Sequence, residues 1–96
     1  MNQNIAVPKR FITPDAIDIK DQNLFKLVNK AIKEKHKCFI EYYSKDQANT
    51  SHRVIHPYDL ILFGNEWGIA AYCEAKDEIR HFYINRIKSI KLLEKF

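Results

Sequence analysis

Glycine is nearly absent from this chain: only Gly64 and Gly68 occur among 96 residues. A glycine-rich phosphate loop or a G-x-S-x-G nucleophile turn needs such residues at set spacings, and neither motif is present. Proline is also scarce, at Pro8, Pro14 and Pro57, which excludes a low-complexity chain. No apolar run approaches the roughly 18 residues that cross a bilayer, so no membrane partner is expected. The opening MNQNIAVPKR has no apolar segment after its charges, so no secretory signal is expected either. The two cysteines, Cys38 and Cys73, lie inside apolar segments and form no C-x-x-C. They are read as reduced core residues of a cytoplasmic protein, with a single bridge as the alternative. A nucleophilic role would need exposure and a nearby base, and Glu74 is a poor one. With no paired-carboxylate motif, the chain is not expected to be an enzyme.

Metal and cofactor chemistry find no support. His52 and His56 are four residues apart, but Val54, Ile55 and Pro57 argue for a strand between them. On a strand the two rings stand roughly 13 Å apart, too far to share an ion.

What the chain does contain is a balance of 46% hydrophobic and 29% charged residues, enough apolar content for one small globular domain. Its net charge of +4 favours an anionic partner.

Residues 1–20 read as a proline-marked lead-in or linker, with Phe11, Ile12, Ile17 and Ile19 able to dock as an extended strip. Residues 21–96 form the domain. A helix starts at Asp21 or Asn23, either of which can cap it. Leu24, Leu27, Val28, Ala31 and Ile32 make its apolar stripe, and the run KEKHK suits its negative end. The period then shortens. CFIEYY, residues 38–43, is rich in strand formers, and residues 44–51 read as a loop. A long strand runs from Arg53 to Phe63 and must bend or bulge at Pro57, which cannot donate to a ladder. Gly64-Asn65 is a turn. Further strands span residues 66–73, 79–83 and 88–93, separated by EAKDE and by a tight INRI turn. The fold class is therefore mainly β with one N-terminal helix, five short antiparallel strands that can curl into a small barrel.

Three residue sets carry a resemblance: Arg53, Pro57 and Leu60 as R-x-x-x-P-x-x-L; Trp67, Ile69, Ala71 and Tyr72 as W-x-I-x-A-Y; and Arg80, Phe82, Arg86 and Ile87 as R-x-F-x-x-x-R-I. With Ile40, Tyr42 and Gly64, they resemble the WYL domain from Leu24 to about Leu93. The resemblance implies an Sm-like barrel. It also implies a ligand-sensing module of a bacterial transcription regulator, with its DNA-binding domain outside this chain. Single-stranded nucleic acid or a nucleotide-like anion is the implied effector. The residues implied to bind it are Tyr42, Ser44, Arg53, His56, Arg80 and Arg86. Three positions depart from the family pattern. Gly68 replaces an aromatic in the name triplet, Asn85 stands where aspartate is usual, and Tyr83 replaces a frequent arginine.

Guanidinium forks and hydroxyls held close together suit a phosphate. Tyr43, Tyr58 and Tyr83 could stack bases beside them. Plainer readings stand next to these. Arg53 can pair with Glu41 or Asp59, Arg86 can bond carbonyls of the INRI turn, and His56 can sit in the Pro57 bulge. Trp67 reads as core. The alternative function is a structural or self-association module, such as a homodimer, with no anionic ligand.

Overall fold

Asp21 is the helix cap, one of the two residues the sequence offers for it. Its carboxylate accepts the Leu24 amide at 3.0 Å and caps helix α1, Gln22–Glu34. The computed structural model describes residues 21–44 and 48–96. The lead-in strip with Phe11, Ile12, Ile17 and Ile19 therefore lies outside the described residues, as do positions 45–47. The helix buries Leu24, Phe25, Val28 and Ala31. Phe25 replaces Leu27 in the expected stripe: its ring meets Trp67 edge-on at 6.3 Å, whereas Leu27 is exposed. Lys35 ends the helix in the left-handed conformation at φ 61°, so His36 and Lys37 of KEKHK belong to the first strand.

Five strands follow: β1 His36–Ser44, β2 Asn49–Phe63, β3 Glu66–Cys73, β4 Glu78–Tyr83 and β5 Ile87–Lys95. The expected tight turn INRI is a 3-10 turn, Ile84–Arg86, closed by the Ile87 amide on the Ile84 carbonyl, and joins the last two. All pairings are antiparallel, in one sheet of order β4-β3-β2-β1-β5. Strand β2 starts four residues before the expected Arg53, because Asn49–Ser51 pair with Tyr42–Ser44. Gly64, at φ 61°, makes the β2–β3 turn.

Pro57 produces the expected irregularity. It pairs with Ala71, while Asp59 pairs with Ala70, so Tyr58 is the extra residue. One extra residue reverses which positions face inward. Before it, Ile55 and Pro57 are buried; after it, Leu60 and Leu62 pack on the core and Phe63 turns outward.

The sheet curls strongly. In a flat sheet, β1 and β4 would lie about 14 Å apart, three strand spacings. Yet the Tyr42 ring of β1 meets the Phe82 ring of β4 at 5.1 Å. Side chains, rather than a β4–β5 ladder, bring the margins together. The concave face holds Cys38, Ile40, Ile55, Ile69, Ala71, Cys73 and Phe82 in the buried core. Both cysteines are free, and burial pushes the Cys38 thiol up to about 12.

Candidate anion-binding site

Strand alternation assigns the β2 side chains to faces. Ser51 and Arg53 share a face with buried Ile55, while His52, Val54 and His56 point to the other side. Arg53 is half-buried at the end of the curl remote from the β2–β3 turn. Its Nε donates to Ser51 Oγ at 3.2 Å and its Nη1 to Cys73 Sγ at 4.0 Å. Its Cζ lies 5.9 Å from the Phe82 ring centroid. No described carboxylate lies within ion-pair distance of it. The expected partners are placed elsewhere: Glu41, on the outer face, accepts from Ser89 Oγ at 3.4 Å, and Asp59 accepts from the Leu60 amide at 2.9 Å. Of the five guanidinium N–H groups, at least two hydrogen bonds go to neutral neighbours, and the charge meets no counterion among the described residues. A shallow depression of about 410 Å³ is lined by Arg53 with Phe39, His52, Val54, Glu74 and Ala75, and His52 and Val54 place it toward the outer side of β2.

Tyr42 and Ser44 stand on the same inner face of β1, where Tyr42 is opposite Ser51. The Tyr42 hydroxyl is not simply wetted: it accepts the Tyr83 amide across the curl at 2.9 Å. This bond ties β1 to the last residue of β4. Removing it by Tyr42→Phe strands a partly buried donor, so the expected loss is about 1–2 kcal/mol in urea denaturation. An unchanged midpoint would show that the bond does not hold the curl.

Arg80 also faces inward, opposite Ala71 and two positions before Phe82. Its Nη1 donates to Glu78 Oε2 at 3.1 Å, and both side chains are well exposed. Such a pair is held weakly and can be exchanged for a ligand. Arg86 leaves the 3-10 turn with its Cζ 4.7 Å from the Tyr83 ring centroid, and Tyr83 in turn meets Phe63 at 5.9 Å.

His56 is on the outer face, apart from Arg53. Its Nε2 pairs with Glu74 Oε2 at 2.7 Å, and its ring meets Tyr72 and Phe96. The bond from His56, helped by Lys37, holds the Glu74 carboxyl below its ordinary range, against partial desolvation. Nearby, Tyr72 donates to Asp77, which raises the phenol. The bulge residue is Tyr58, not His56.

Thus Tyr42, Ser44, Arg53 and Arg80 share one face, with Ser51, Cys73 and Phe82 between them. His56 is separate, and Arg86 sits on Tyr83 at the β4–β5 corner. Ser51 escaped the sequence reading because residues 44–51 looked like a loop; its signal was its spacing of two from Arg53. The three tyrosines expected to stack bases face other groups. Tyr43 lies under Lys88, Tyr58 against Phe96 and Tyr83 under Arg86. Trp67 is buried as expected, although its indole N–H has no partner among the described residues. Among the described residues, no cluster of three or more metal-ligating side chains occurs, and no helix is long and apolar enough to cross a membrane.

Gly68 explains one family departure. A Cβ there would lie 2.5 Å from Phe63 Cε2 and 2.7 Å from Cδ2. The Phe63 ring, turned outward by the bulge, therefore occupies the space above the glycine. It also meets His81 at 4.6 Å.

The WYL domain family matches residues 23–92. The DNA-binding transcriptional repressor CapW of Pseudomonas aeruginosa is 30% identical over 88 residues, covering 90% of this chain and 27% of the repressor. The fold is similar to that of the proteasome accessory factor B/C (PafBC) of Arthrobacter aurescens, with a TM-score of 0.71 and 23% identity. That likeness covers 79% of this chain and 12% of PafBC. The chain thus spans about a quarter of the length of the repressor it matches.

Proposed function

This chain belongs to the WYL domain family, and from that membership we propose that it is the effector-sensing domain of a bacterial transcription regulator. The sensing role is non-enzymatic and cytoplasmic, and the DNA-binding domain lies in a part of the regulator outside residues 21–96. The similarity to a DNA-binding repressor supports this reading. We assign the effector to single-stranded nucleic acid or a nucleotide-like anion. It is held on the inner face by Arg53 and Arg80, with Tyr42, Ser44 and Ser51 as hydroxyl partners. Arg86 extends the contact at the β4–β5 corner. His56, bound to Glu74 on the outer face, has no part in it.

The observation that carries the proposal is Arg53. Its guanidinium is half-buried and bonded to a hydroxyl and a thiol, yet no described carboxylate neutralises it. A desolvated cation with spare donors attracts an anion more strongly than a solvated one. Arg80 supplies a second fork once its exposed bond to Glu78 is exchanged.

Fluorescence anisotropy with a labelled oligothymidine tests this. Binding should weaken as salt rises, by about 0.7 log units in affinity per log unit of salt for each phosphate contact. The Arg53→Ala/Arg80→Ala variant should lose about 1.4 from that slope, two contacts' worth. Absence of binding at low salt, or an unaltered slope in the double variant, refutes the nucleic-acid assignment. Competition by a free nucleotide separates a small anion from a strand.

A further inference from the structure

The two margins of the sheet are treated differently. Strand β5 carries Lys88, Lys91 and Lys95, the residues that commonly keep an edge from pairing. Strand β4, EIRHFY, has no lysine and no proline, and its Ile79 is 61% exposed. Next to Ile79 on the outer face stands Tyr72, its cross-strand partner.

Among the described residues, no strand pairs with the outer margin of β4. In an antiparallel pair, alternate residues direct their N–H and C=O groups toward one neighbour and then away from it. The Tyr83 amide goes to Tyr42, not to β3. The β3–β4 register runs without a shift from Gly68↔Tyr83 to Cys73↔Glu78. It follows that His81 and Ile79, two and four residues earlier, aim their backbone groups off the sheet margin.

We propose that β4 is a self-association edge, at which a second copy of this chain adds antiparallel across a two-fold axis through Ile79.

Charge selects the register. With the axis through Ile79, its free N–H and C=O bond those of the partner's Ile79. Glu78 then stands opposite the partner's Arg80, and the same pair forms twice by symmetry. An axis through Arg80 sets two guanidinium groups against each other where the strands come closest. An axis through His81 sets Arg80 opposite the partner's Phe82, with no carboxylate facing it, and needs the Tyr83 amide, which Tyr42 already holds. The first arrangement also has one amide already used, that of Asp77 on the Cys73 carbonyl, but it alone sets opposite charges face to face. It also joins the exposed Ile79 side chains into one apolar strip across the axis.

Site-directed cross-linking on the full 96-residue chain tests the edge and its register. Under mild oxidation Ile79→Cys should give at least about fivefold more dimer than Arg80→Cys or His81→Cys, since only paired Cα atoms about 5.5 Å apart suit a disulfide. The unmodified chain, whose Cys38 and Cys73 are buried, serves as the uncross-linked reference. In sedimentation equilibrium, Arg80→Glu should weaken the dimer about tenfold, and the swap Glu78→Arg/Arg80→Glu should restore it. A chain that stays monomeric at all concentrations overturns the proposal. So does strongest cross-linking in Arg80→Cys or His81→Cys, or a mass beyond the dimer.

Discussion

Truncating Phe82 to alanine is expected to lower stability by about 3–5 kcal/mol in urea denaturation. Phe82 is 2% exposed and forms the contact at which the curl meets itself. The Tyr42 ring abuts it edge-on from β1, and Arg53 lies over it from β2. Neither contact survives the truncation, and the void opens between strands that no ladder joins. A chain of this size has about 5–14 kcal/mol of stability in total, so the loss removes a large share of it. A loss below about 1 kcal/mol would mean that the curl does not depend on this ring. Phe82→Leu separates packing from binding. It fills most of the volume and should stay within about 1.5 kcal/mol of the parent. It removes the aromatic face beneath Arg53, so oligonucleotide affinity should still fall.

The second large effect is one of sign. Alanine in place of glycine normally favours a strand by about 0.5–1 kcal/mol. Gly68→Ala should instead destabilise by about 1–3 kcal/mol, because the new Cβ enters the space of the Phe63 ring. The ring must swing away, leaving its contacts with His81 and Tyr83. Gly68→Tyr, which places an aromatic in the middle of the Trp67-Gly68-Ile69 triplet, should be worse alone. Combined with Phe63→Ala it should recover much of the loss, since the two rings compete for one place. A double-mutant cycle measures this directly, and simple additivity of the two changes would rule the competition out.

Much of this architecture could be read from short stretches. Asp21 caps the helix, Gly64 turns the chain, Pro57 forces a bulge, and Trp67, Ile69 and Ala71 alternate into the core. Each signal acts over a few residues through hydrogen bonding, φ or side-chain period. The start of β2 was hidden because Asn49 and Ser51, on either side of Thr50, are turn-forming types at the end of a polar run. They are strand because Tyr42–Ser44 lie opposite them.

The site was less legible. Arg53 and Arg80 were named from sequence, and they share a face. His56 was grouped with them and does not, since three residues on a strand reverse the side. The pairings assigned to Arg53 failed for the same reason: Glu41 alternates outward, and Asp59 follows the bulge. Phe63, which replaces the ring missing at Gly68, carried no sequence signal. Its direction depends on the single extra residue at Tyr58 five positions earlier.

The residue order of this protein determined by itself one helix, five strands, their turns and the family, because capping, turn chemistry and alternation are local. Tertiary structure alone decided that Arg53 meets a thiol and a phenyl ring and neither Glu41 nor Asp59, that Phe63 covers Gly68, and that β4 is the last strand in the sheet order. Those outcomes follow from register and sheet curvature, which depend on how distant strands pair.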